Sequence, residues 1–184
     1  MNKLNKGLLL LMLLLTCTVY LKAQDKLFYI LKDELQREFK QLKKADTNLY
    51  YMNYRVDDIK TYRVASSFGV INSIDSSHAR IFSPSVRLGS YKLDNTHGSM
   101  YGQIPASLPV ADDADLIKLT IWKTTDAAYK NAAQVYEQIL TNKKVRVAEE
   151  DTAADFSPAK KATHFDPPLN YNLLKPDLEK LTEQ

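Results

Sequence analysis

Between Asp25 and Lys144 the apolar positions change period twice. From Asp25 to Lys44, Phe28, Leu31, Leu35, Phe39 and Leu42 recur at spacings of three and four, Leu27 widens the stripe and Lys43-Lys44 closes it. That spacing predicts an amphipathic helix N-capped by Asp25, with Phe28 and Phe39 turned toward a core. The period then falls to two. Across Asn48 to Val56, Tyr50, Met52, Tyr54 and Val56 share one face and Leu49, Tyr51, Asn53 and Arg55 the other, and Asp57-Asp58 interrupts the pattern. A second run, Lys60 to Ile71, places Tyr62, Val64, Ser66, Phe68 and Val70 together, so the two runs are expected to form a β-hairpin. Gly69 suggests a bend into Val70 to Ile74, Asp75-Ser76-Ser77 a turn, and Ala79 to Leu93 a third long strand. Within that strand Pro84 cannot donate to a ladder and marks an edge or a bulge, while Gly89 marks a bend or a close backbone approach.

Gly98 to Pro109 has no periodicity and is expected to be a loop. It leads into a helix start, where Asp112, Asp113 and Asp115 crowd the positive end of the helix dipole, and Ile117, Ile121, Ala128, Ala132, Val135 and Ile139 then keep the helical period. Trp122, Tyr129 and Tyr136 add a flanking stripe, and Lys143-Lys144 ends it. Helix capping accounts for the three aspartates without a metal. Beyond Arg146 the chain is polar and aperiodic, and Pro158, Pro167 and Pro168 oppose regular structure, so a linker or surface-hugging arm is expected. Pro176, Leu178 and Leu181 carry the signals of a helix start with room for about two turns. The fold class expected from this pattern is α+β: long antiparallel strands in a curved sheet, two amphipathic helices packed on it, and an irregular C-terminal arm.

The first 23 residues belong to a different class. Lys3 and Lys6 precede the apolar run Gly7 to Leu15, and Leu21-Lys22-Ala23 resembles a signal-peptidase site. The run is about half of the roughly 20 residues needed to span a bilayer. Residues 1–23 are therefore read as a secretory signal peptide, 24–147 as one α/β domain and 148–184 as the arm, with export to the periplasm or beyond. Lipid attachment at Cys17 is the alternative, disfavoured by Thr16 before it.

Removing the leader alters the charge argument. The full chain has 25 Lys+Arg against 22 Asp+Glu and a net charge of +3, but Lys3, Lys6 and Lys22 lie in the leader, so the remainder is neutral. Nucleic acid and an anionic membrane are excluded as expected partners. The single cysteine also lies in the leader, which leaves no disulfide, thiol nucleophile or thiolate ligand in the exported chain.

Motifs for chemistry are sparse. His78, His97 and His164 are followed by Ala79, Gly98 and Phe165, so there is no H-E-x-x-H, and no G-x-S-x-G elbow, P-loop or dinucleotide glycine pattern occurs in a chain with five glycines. Asp94 with His97 would supply two ligands where zinc needs three or four, and side chain to backbone bonding in an Asp-Asn-Thr turn explains the pair. A tyrosine-rich sheet face is read as core packing with hydroxyls at its rim, and as a candidate peptide surface.

The blocks "YYMNYRVDD", "YRVASSFGVINSIDSSHAR", "PSVRLGSYKLDNTH", "LIKLTIWKTTDAAYKNA" and "ADFSPAK", in that order, resemble the N-terminal region of exported metallopeptidase-related proteins of the TldD/PmbA family. The resemblance runs from Lys26 to Lys161. It implies an N-terminal α/β domain over Lys26 to about Val147, and a zinc-bearing half with a His-Glu-x-x-x-His motif that no position here matches. It further implies action on peptides, by dimers or paired subunits whose N-terminal domain helps enclose the site. No catalytic or metal residue is carried over, and no cofactor is expected in this chain, since zinc would belong to the other half. Tyr54, Arg87, Tyr91, Asp94, Asn95 and His97 are the residues expected to line an interface or peptide cavity. The leading expectation is a non-catalytic portion of such a peptidase, partnered by a second copy or by a zinc-bearing subunit. The alternative is a free-standing periplasmic module that binds a peptide or small ligand.

Overall fold

A computed structural model of the chain describes residues 26–97, 104–145, 153–164 and 166. The expected signal peptide, the Asp25 cap, Cys17 and the helix start at Pro176 lie outside the described residues. The order of elements is α1 (Lys26–Ala45), β1 (Leu49–Ser67), β2 (Val70–Leu88), β3 (Ala106–Leu108) and α2 (Ala114–Val145). The three strands form one antiparallel sheet in the order β1-β2-β3. This is an α+β fold with both helices packed on one face of the sheet.

That face is set by pleating. Met52, Tyr54 and Val56 stand opposite Val86, Pro84 and Phe82, and these even-numbered side chains meet the helices. One cluster joins Phe82 to Leu27, Ile30, Leu108, Ile117 and Ile121; a second joins Leu49, Met52, Val86 and Leu88 to Ala128 and Ala132. Burying each large apolar side chain contributes about 1.5–3 kcal/mol. Tyr54 bridges the two clusters, edge-on to Phe82, and its hydroxyl shares a 2.8 Å hydrogen bond with Thr125 of α2.

The helix termini are held by side chains at two described ends. The Asp113 carboxylate accepts from the backbone N–H groups of Asp115 and Leu116, both at 3.1 Å, so Asp113 caps α2. At the other end of α1, Lys43 donates to the carbonyls of Thr47 (2.7 Å) and Leu49 (2.5 Å), tying the helix exit to the start of β1. The apolar face of α1 is rotated from the expected one. Leu27, Ile30, Glu34 and Glu38 are buried, Leu31, Leu35, Phe39 and Leu42 pack at the flank, and Phe28 is 57% exposed. Two carboxylates take core positions because Arg37 donates to both, at 2.5 Å and 2.6 Å. Burial holds the Glu38 carboxyl above the usual carboxylate range despite that pairing.

The strands depart further from expectation. Asp57-Asp58 does not break β1 and Asp75-Ser76-Ser77 is not a turn: both lie inside one continuous hairpin that pairs Leu49 with Leu88 at one end and Ser67 with Val70 at the other. The turn is Phe68-Gly69, whose φ values of 51° and 77° fit the two-residue loop with both residues left-handed that matches strand twist. The aspartates are tolerated in the strand because Asp58 receives hydrogen bonds from Arg80, opposite it, and from His78, while Arg80 also donates to Asp112 before α2. A stretch expected to be loop also contributes β3, which pairs Ala106 to Leu108 with Phe82 to Arg80. Three residues are too few for a period to register in sequence. Pro84 lies just beyond the reach of β3, where β2 has no neighbour on that side among the described residues, as suits a residue without an N–H.

The Asp58–Arg80 pair marks the end of the packed body. From Ile59 to Ala79 the hairpin continues as a two-stranded ribbon whose residues are exposed on both faces, apart from partial cover at Val64 and Ile71. At about 3.3 Å per residue, the ribbon extends roughly 30 Å from Ile59 to Phe68.

Burial raises the Asp58 carboxyl, but the hydrogen bonds from Arg80 and His78 outweigh it and hold the group below its ordinary value of 3.8. The resulting stabilisation is complete above that value and is lost as pH falls through the lower native one. Asp58→Asn is therefore expected to lower the melting temperature near neutral pH by about 2–4 °C, the scale of a partly exposed ion pair. Thermal melts should show the two proteins converging in acid.

Candidate functional site

The opposite face of the sheet carries the other candidate residues, and a bulge brings them there. Leu49 pairs with Leu88 and Tyr51 with Arg87, so Tyr50 is an extra residue in β1. Leu49 and Met52 both reach the helix-side core, which leaves Tyr50 and Tyr51 together on the outer side. Beyond β2 the chain turns at Gly89, whose φ of 110° is a glycine conformation. A Cβ there would lie 2.4 Å from the Leu93 carbonyl oxygen and 2.7 Å from the Tyr136 ring. The turn closes with Ser90 N–H donating to Leu93 and an isolated bridge between Gly89 and Asp94.

Asn95 then locks this loop to the strand. Its side-chain oxygen accepts from the Leu88 N–H at 2.7 Å, and its amide donates to the Val86 carbonyl at 3.3 Å. Next to it the fully buried Asp94 carboxylate gathers four contacts. One oxygen accepts from the Thr96 N–H and hydroxyl, both at 2.7 Å; the other accepts from the Tyr50 hydroxyl at 2.7 Å and faces Arg87 Nη1 at 3.4 Å. The Asp-Asn-Thr turn expected from the sequence is thus formed by side chain to backbone bonding. Burial and then donation to Asp94 push the Tyr50 phenol well above its usual value, so it stays protonated and remains a donor.

Arg87 is the centre of the outer surface. Its guanidinium lies over the Phe156 ring, 3.6 Å from the centroid, and 5.5 Å from that of Tyr51. The weak contact with Asp94 occupies Nη1, and among the described residues Nε is buried with no acceptor. Phe156 belongs to the C-terminal arm. Its N–H donates to the Tyr91 carbonyl at 3.0 Å, and the Asp155 N–H makes a long 3.5 Å contact with the Lys92 carbonyl. The Asp155 carboxylate accepts from the Asp94 N–H at 2.9 Å and meets His97 Nδ1 at 2.6 Å. Between the arm and the sheet, Tyr50, Tyr51, Arg87, Tyr91, Phe156, Ser157 and Ala159 line a pocket of 260 Å³.

Four of the residues expected to form a surface come together here: Arg87 and Tyr91 line the pocket, Asp94 lies beneath it, and His97 holds the arm. Two require correction. Tyr54 is on the opposite face, in the core between the helices and the sheet, because its position in β1 shares the parity of Met52 and Val56. Asn95 is buried and bonded to the β2 backbone, so it shapes the loop without lining the cavity. Tyr50, Tyr51, Asp155 and Phe156 were not legible as site residues. A bulge reverses the parity of Tyr50 relative to the rest of β1, and the aromatics of the polar, proline-bearing arm, Phe156 and Phe165 among them, follow no period.

The chemistry available is recognition: stacking on aromatic faces and a guanidinium, main-chain hydrogen bonding, and a charge-assisted contact at His97. Among the described residues no three His, Cys, Asp or Glu side chains come together as a metal-binding group. Nor is any described helix long and apolar enough to cross a membrane. No known protein family, curated protein or solved structure matches the chain.

Gly89→Ala is expected to destabilise the fold by at least about 2 kcal/mol, because a strained left-handed residue adds to the clash with Leu93. Denaturant unfolding read by tyrosine fluorescence measures the loss.

Proposed function

We propose that the chain is a non-catalytic pairing module, exported, that docks on a partner bearing the catalytic chemistry and helps enclose a peptide site. The partner suggested by the TldD/PmbA resemblance is a zinc-bearing peptidase half. The observation that supports this reading is the ribbon. Ile59, Tyr62, Phe68, Val70 and Ile74 are all exposed on it, and Phe68 stands fully in solvent at the tip. Strand edges and apolar side chains left open in this way favour pairing with another chain. A bulky residue held at positive φ on the tip adds backbone strain of the kind that gathers at interaction sites.

A second reading rests on a different observation. The outer face of the sheet already holds a short polypeptide segment, Asp155-Phe156, through main-chain and side-chain contacts. That arrangement suits a module that binds peptide on its own.

The pairing reading predicts the effect of charge on the ribbon. Phe68→Asp with Ile74→Asp should leave the melting temperature of the isolated chain within about 3 °C of wild type, since neither side chain touches the packed core. The same pair should weaken association with a second copy or a zinc-bearing subunit by at least about tenfold. Multi-angle light scattering and copurification from the host envelope provide the readout. A wild-type chain that stays monomeric and retains no partner, or a purified chain that carries stoichiometric zinc and cleaves peptides, would overturn the reading.

A further inference from the structure

The arm is held as a bound peptide is held. Of residues 153–164 only Asp155 and Phe156 are half-buried, and the rest are exposed. Those two supply the grip: the Phe156 N–H on the Tyr91 carbonyl, the Asp155 carboxylate on the Asp94 N–H and His97 Nδ1, and the Phe156 ring on the Arg87 guanidinium. A polypeptide from another molecule could make every one of these contacts, because they are main-chain bonds, one carboxylate contact and one ring contact.

Two features indicate that the cleft is built for more than this occupant. The 260 Å³ pocket beside Phe156 is bounded by Tyr50, Tyr51 and Tyr91, and the described residues of the arm line it without filling it. Among the described residues Arg87 Nε is buried without an acceptor while the arm is in place, and a buried donor left unpaired opposes the state that leaves it so. A permanent strut would be expected to fill the space and satisfy the donor. A second copy of the chain would present the same Asp-Phe step with the same poor fit, which argues for a ligand of different sequence.

We propose that the cleft between the Ser90–His97 loop and the Tyr51/Arg87 pair is a recognition site for an extended segment of a separate polypeptide, in which an aspartate is followed directly by an aromatic residue. Asp155-Phe156 is its resident, displaceable occupant. The proposal rests on the peptide-binding reading and is independent of ribbon pairing, so failure of one leaves the other standing. It also defines selectivity: the carboxylate is read by the Asp94 N–H and His97, and the ring by Arg87. A ring larger than phenylalanine should use the empty volume.

The test uses the full exported chain with Asp155→Ala and Phe156→Ala together, which frees the cleft, and the labelled peptide Ala-Ala-Asp-Phe-Ser-Pro-Ala followed by fluorescence anisotropy. The arm-released variant is expected to bind saturably and at least about tenfold more tightly than wild type, in which the tethered arm competes at high effective concentration. Replacing the peptide aspartate with asparagine, or adding Arg87→Ala to the protein, should weaken binding at least about tenfold. Replacing the peptide phenylalanine with tryptophan should strengthen it. Circular dichroism accompanies each variant. A folded arm-released variant that binds no peptide up to about 1 mM, the affinity range of a merely weak contact, overturns the proposal. So does binding indifferent to the aspartate. An arm-released variant that fails to fold identifies the arm as a structural strut, with the same consequence. A wild-type chain that dimerises through the arm, by light scattering, assigns the cleft to a second copy and overturns the separate partner.

Discussion

The register of β1 against β2 is the constraint on which the other features depend. Side chains alternate faces along a strand, so a slip of one residue would move Met52, Tyr54, Val56, Phe82 and Val86 from the helices to solvent. Burial of those residues against Ile117, Ile121, Ala128 and Ala132 of α2 is what holds the register. At the far end the tight Phe68-Gly69 turn closes the hairpin, and a bulge that leaves Asn72 unpaired brings its register into line with that of the body. The bulge at Tyr50 is the one place near the body where parity is shifted, and the outer cleft is assembled around it.

Charge is used sparingly and at boundaries. Asp58, Arg80 and Asp112 join both strands to the chain before α2 at the edge of the packed body. Hydrogen bonds to both aspartates keep the Arg80 guanidinium firmly charged, which lets it lie along the sheet with little exposure. Asp94 is a more demanding case, since a fully buried carboxylate needs several donors to be tolerated. It has the Thr96 amide and hydroxyl, the Tyr50 phenol and the distant Arg87, and together they fix the loop that carries Tyr91 and His97.

The two surfaces proposed to take partners differ in physical character. The ribbon offers backbone edges and apolar side chains with no concavity, the features of an assembly element. The outer cleft offers aromatic walls, a guanidinium and a loop whose Tyr91 carbonyl takes a main-chain N–H from the arm, the features of a site that reads a short segment. They lie at opposite ends of the same hairpin, near its turn and near its root, so one pair of strands supports both without either surface using the residues of the other.

Much of the architecture was legible in the sequence because it is locally encoded. The Asp113 cap and the Ile117 to Val135 period define α2, the alternation from Tyr50 to Val56 marks a strand, and the polar, proline-bearing tail lacks regular structure where it is described. Long-range pairing decided the rest. Asp57-Asp58 and Asp75-Ser76-Ser77 look like breaks until Arg80 and His78 appear across the strand from Asp58, and nothing local distinguishes Phe68-Gly69 as the turn they displace. Likewise Glu34 and Glu38 read as solvent positions, because only the fold shows Arg37 pairing both beside α2. Tyr54 was expected beside the site residues, yet its parity with Met52 and Val56 carries it into the core, and the bulge that sets Tyr50 beside Tyr51 is a property of two strands in register. The sequence by itself determined the two helices, the strand character of most of Leu49 to Leu88 and the loop that turns on Asp94. Only the tertiary structure decided which faces are buried and that Asp155 and Phe156 return to that loop, because contacts between residues distant in the chain leave no period to read.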